Sequence, residues 1–81
     1  MKSKQLIPLS MVKAGEKVRL VSINAGKGLK IRLTAMGLVP NVEITVVINN
    51  RPGPFVISVK NSRMMLGRGM AHKIMVMWMR C

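Results

Sequence analysis

Any chemistry in this chain would have to come from very few side chains. There is one histidine, His72, and there are two carboxylates, Glu16 and Glu43, spread over 81 residues. Divalent transition metals held by oxygen and nitrogen commonly take two histidines and a carboxylate, a set that one histidine cannot supply. A net charge of +12 also repels a divalent cation at long range. Met75, Met77 and Met79 alternate along one face, and thioethers suit only a soft cation. Ser10, Ser22, Ser58 and Ser62 lack a base with an orienting acid, which an activated serine needs. Cys81 is terminal and poorly held, and it would meet His72 only by an accident of folding. Gly26-Lys27-Gly28 lacks the third glycine and the βαβ unit of a dinucleotide fingerprint, and neither glycine-rich segment has the phosphate-loop form. The residues therefore predict no catalytic group, no metal site and no cofactor, with His72 structural or solvated and the chain not an enzyme.

The elements that would carry any surface site come from a single small domain spanning residues 1–81. With 49% hydrophobic and 2% aromatic residues, its core must be aliphatic rather than ring-packed. The longest stretch without a charge, Leu33 to Val42, is half of what a membrane span needs. Lys2 and Lys4 precede an apolar stretch interrupted by Pro8, a poor signal peptide, and a single cysteine suits a reducing compartment. The expected location is the cytoplasm.

Ser10 is expected to N-cap a helical turn that Gly15 stops. Glu16 to Ile23 reads as a strand with Val18 and Leu20 on one face. Leu29, Leu33 and Met36, at i, i+4 and i+7, predict a short helix over 29–36, stopped by Gly37 and sealed by Pro40. Strict alternation predicts strands over 42–48 and 55–59, separated by turn chemistry at Asn49 to Pro54. After a turn at Asn61-Ser62 comes the short apolar run Met64-Met65-Leu66. His72 is expected at the start of a last strand, Ile74 to Trp78, with Ile74, Val76 and Trp78 against the methionines. Four or five short strands in so short a chain predict a mostly β fold, a small closed or half-open SH3-like barrel with one or two short helices.

The order Pro8-Leu9-Ser10, Ala14-Gly15-Glu16, Arg32-Leu33-Thr34-Ala35-Met36-Gly37-Leu38-Val39-Pro40, Gly53-Pro54 and Leu66-Gly67-Arg68-Gly69-Met70-Ala71 resembles the FeoA family, the small ferrous iron transport A proteins, over nearly the whole chain. Where the family often has Gly-Gly and Pro-Gly, this chain has Ala25-Gly26 and Pro40-Asn41, and Asn also tolerates positive φ. The resemblance implies an SH3-like barrel in the bacterial cytoplasm, working beside FeoB, the membrane ferrous iron permease with a cytoplasmic GTPase domain. The family's metal-ion label finds no ligand set here, and Fe²⁺ is not the soft cation that methionines favour. Similar barrels also end metal-dependent repressors, but no helix-turn-helix is read in this chain.

The basic balance, 14 Lys and Arg against two acidic residues, either keeps an apolar barrel soluble or attracts an anionic partner. An anionic membrane surface would concentrate such a protein beside a permease, since each nearby cation contributes about 1 kcal/mol of attraction. Nucleic acid is the rival class. Phosphate attraction alone is nonspecific, and only Phe55 and Trp78 offer rings for stacking, one of them expected in the core. The sequence reading is thus a non-enzymatic adaptor and regulator of FeoB-dependent ferrous iron uptake, acting by protein–protein contact. Backbone binding to nucleic acid is the alternative, and weak self-association is a further expectation. The expected partner-binding residues are the helix and its exit, Leu29, Arg32, Leu33, Met36, Gly37 and Leu38, with the methionine stripe as a second candidate. Gly37 and Leu33 also have evident structural duties there, as helix cap and barrel plug.

Overall fold

A computed structural model describes residues 5–50 and 53–79. Its elements in chain order are strand β1 (Ile7–Pro8), a 3₁₀ turn (Leu9–Met11), strand β2 (Lys17–Ile23), helix α1 (Lys27–Ala35), strands β3 (Glu43–Asn49), β4 (Phe55–Val59) and β5 (Ser62–Leu66), helix α2 (Arg68–His72), and strand β6 (Ile74–Trp78). The strands form one antiparallel sheet in the order β1-β6-β2-β3-β4-β5. The fold is mostly β, a half-open SH3-like barrel whose hydrogen-bonded order ends at β1 and β5.

Alternation builds the core. Val18 and Leu20 from β2, Ile44 and Val46 from β3, and Ile74 and Val76 from β6 have no exposed surface. Phe55 is the ring in the core at 1% exposure, whereas Trp78, at the far end of β6, stays 42% exposed. Trp78 shares a strand parity with Ile74 and Val76, but it is the last residue of β6 and stands at the end of its ladder with β2. Two shifts of register, between Leu20 and Ser22 and between Val46 and Ile48, bend the sheet, as bulges do.

Several local expectations need correction. Ser10 does not cap a helix; it lies inside the 3₁₀ turn and is buried, and the turn is preceded by Pro8 and has already ended at Val12. Gly15 does take positive φ, 93°, but in the tight turn that feeds β2. His72 closes α2 rather than opening the last strand, which begins at Ile74. Ser62 belongs to β5, and the turn before it is Lys60-Asn61. Cys81 and the Arg51-Pro52 part of the turn after β3 lie outside the described residues. None of the helices described is long and apolar enough to cross a membrane.

Candidate docking surface

Helix α1 and its exit are built around one local device. Gly26 enters the helix extended, and Met36 ends it in the right-handed region. Gly37 then turns to φ 100°, where a side chain would be strained. The Leu38 amide donates to the Leu33 carbonyl at 3.0 Å, and the Gly37 amide donates to the Thr34 carbonyl, also at 3.0 Å. This pair of bonds is a Schellman stop, in which the residue after the glycine reaches back five positions. The hydrophobic contact that accompanies such a stop joins the two residues that bracket it, and Leu33 and Leu38 are both fully buried in the core. After Pro40, Asn41 takes φ 74°, a conformation that asparagine tolerates better than most residues with a side chain.

This geometry divides the six expected partner residues by orientation. Leu33 and Leu38 are buried and anchor the helix, and Gly37 supplies the backbone conformation. Leu29 is half-buried against the core. Arg32 and Met36 are exposed, Met36 at 42%. Ile31, which the sequence reading did not single out, is 62% exposed on the same helix. Its signal was available: an isoleucine two positions from both Leu29 and Leu33 falls about 200° away around a helix, on the face opposite the buried stripe. An exposed arginine flanked by exposed apolar side chains suits an acidic, partly apolar protein surface.

The methionine stripe is more covered than a free adhesive face. Met75, Met77 and Met79 are each half-buried, and Met75 and Met77 lie across from Pro8, Ser22 and Arg19. Among the described residues, no group of three or more His, Cys, Asp or Glu side chains stands close enough to hold a metal ion. The Lys17–Glu43 pair, 3.6 Å apart with both side chains more than half exposed, is a surface contact of little energetic weight.

Away from α1 in the chain, a polar network ties distant segments together. Asn49 Nδ2 donates to the carbonyls of Ser10 at 3.3 Å and Val12 at 2.7 Å. Asn49 Oδ1 accepts from Arg68 Nη1 at 2.8 Å, and Arg68 Nη2 also donates to the Asn50 carbonyl. The Arg68 guanidinium sits 5.6 Å from the centre of the Phe55 ring. Ser10 Oγ and His72 Nδ1 are 3.3 Å apart, which gives the histidine a structural partner without the third group of a catalytic triad.

The arrangement matches known proteins closely. The model of the FeoA domain matches residues 7–77. A Methanocaldococcus jannaschii protein assigned the name Fe(2+) transport protein A is 44% identical over 71 residues, 88% of this chain and 85% of that one. The crystal structure of an iron uptake regulatory protein, FeoA, is 35% identical with a TM-score of 0.86, covering 93% of this chain and all of that one. A manganese-dependent transcriptional repressor superposes with a TM-score of 0.85 at 15% identity, and this chain spans 45% of it; that likeness is one of fold alone. With the FeoA domain matching from β1 into β6, and a relative 44% identical over 88% of the chain, this chain belongs to the FeoA family.

Proposed function

We propose that this chain is a non-enzymatic adaptor for ferrous iron uptake that docks on the FeoB permease through the outward face of α1 and its exit. Fe²⁺ is the cargo of the partner, and no step of the proposal passes iron through this chain. The observation that carries the reading is the orientation of the helix within the family segment. The Schellman stop buries Leu33 and Leu38 and leaves Ile31, Arg32 and Met36 outside. Leu29 supports that face from its half-buried position, and Gly37 sets the angle at which the chain leaves it. The location is then the cytoplasm, at the inner face of the membrane, where the basic surface adds attraction to anionic lipid.

Binding to vesicles that carry FeoB, compared with bare vesicles of the same lipid, tests this. Ile31→Lys, Arg32→Glu and Met36→Lys should each weaken FeoB-dependent retention. Unchanged retention by all three would remove this surface from the account. A second reading, binding to the backbone of nucleic acid, is favoured by the net charge of +12. It predicts affinity for duplex fragments that falls steeply with salt and follows net charge, so that Ile31→Lys and Met36→Lys hold or raise it rather than weaken it.

A further inference from the structure

Strand β5 is an edge of the sheet, paired on one side only, with β4. The ladder between them is regular from Val59↔Ser62 to Phe55↔Leu66. It closes through Lys60 and Asn61, whose φ values of 51° and 68° define a two-residue hairpin turn. In such a hairpin the residues flanking the turn form a hydrogen-bonded pair, and the bonding alternates from there. Ser62, Met64 and Leu66 therefore bond to β4, while Arg63 and Met65 direct their backbone N–H and C=O groups outward. Their side chains stand on the outer face, and Met65 is 69% exposed, the highest value among the large apolar side chains of the described residues. No loop or cap among the described residues bonds to this edge.

Beside the β5–α2 junction lies an open groove of about 1030 Å³. Pro54 and Met65 give it apolar wall, and Arg68 and Lys73 give it a cationic one; no carboxylate lines it. The two carboxylates of the chain are elsewhere, Glu43 on β3, two strands away, and Glu16 before β2. An open edge next to an apolar, cationic groove is the arrangement that β-strand addition uses, main-chain bonds giving affinity and alternate side chains giving selectivity.

We propose that the outer edge of β5 takes an extended acidic segment of a partner protein as an added antiparallel strand, its apolar side chains lying against Met65 and Pro54. Charge decides the occupant. A second copy would bring another +12 to the edge and set Arg63 and Lys60 against their own kind, which is unfavourable directly across a strand pair. A carboxylate-bearing strand meets Arg63 and Lys60 along the edge and Lys73 at the groove. The surface is distinct from the α1 face and does not depend on what binds there.

The test uses the full chain and three labelled peptide probes: a glutamate–valine peptide repeating Val-Thr-Glu-Thr, so that valine and glutamate share the face that meets Met65 and Arg63, the same repeat with lysine for glutamate, and a glutamate–proline peptide repeating Pro-Thr-Glu-Thr. The proline peptide keeps the charge and loses half of the amide donors that face the edge. Anisotropy at roughly 0.15 M salt should rank glutamate–valine about tenfold above glutamate–proline, with no binding of the lysine peptide. Hydrogen exchange should slow at the Arg63 and Met65 amides in the complex. Met65→Pro should abolish the preference, and Arg63→Glu, which keeps the strand backbone, should weaken glutamate–valine binding about tenfold should the proline variant fail to fold. Equal binding of both acidic peptides, exchange protection confined to other segments, or β5-mediated dimers in place of peptide binding would each overturn the proposal.

Discussion

Asn49 holds three segments at once, through the carbonyls of Ser10 and Val12 and the guanidinium of Arg68. Asn49→Ala would leave those partners short of hydrogen bonds in a partly buried setting, and should cost about 1–3 kcal/mol in urea unfolding. Within the family signature, truncating buried Leu33 should cost about 2–5 kcal/mol. Arg32→Glu and Met36→Lys, on exposed positions, should stay within about 0.5 kcal/mol of the parent while reducing FeoB binding. That contrast separates the anchoring half of the motif from its outward half. The motif was legible in the sequence because helix, glycine and apolar positions lie within one short segment. Asn49 was not, since an asparagine in a run of Asn, Pro and Gly reads as a turn residue, and its partners are 37 and 39 positions away in the chain. The role of Ile31 is illegible for another reason: the stripe of apolar residues that marks the buried face carries no information about what an isoleucine on the opposite one does.

Among the elements, the strands with clean alternation were read well: β4 and β6 at their observed bounds, β2 and β3 to within one residue at either end. The two-residue β1 and the five-residue α2 carry too little periodicity to be seen, and α2 displaced His72 from its expected strand. Long-range packing of the 3₁₀ turn against α2 and β6 decides these segments, which local propensity does not report. The β4–β5 hairpin offers a direct test of turn chemistry. Its first turn residue is Lys60 at φ 51°, a conformation costing roughly 1 kcal/mol for a side chain of this kind. Lys60→Asn with Asn61→Gly should raise stability by about 0.5–1 kcal/mol, read as a higher urea midpoint at unchanged slope. A lower midpoint would show that Lys60 makes a contact worth more than its strain.

For the whole molecule, the sheet is a curved, half-open barrel with an aliphatic core, and its surface charge is almost entirely of one sign. Uniform positive charge speeds encounters with acidic surfaces and anionic lipid, and it is screened within about 8 Å at physiological salt. Attraction to bare anionic vesicles should therefore fade between roughly 0.1 and 0.5 M salt. Contacts that bury Ile31 and Met36 against a partner should outlast it, because apolar burial does not weaken with salt. The most direct measurement is co-sedimentation of the purified chain with FeoB vesicles and with bare vesicles of identical anionic lipid, each at low and high salt, with the parent and the Arg32→Glu variant. The adaptor account predicts retention on FeoB vesicles that persists at high salt and falls in the variant, with bare vesicles releasing the chain. Equal retention on both kinds of vesicle, lost together as salt rises, would contradict it.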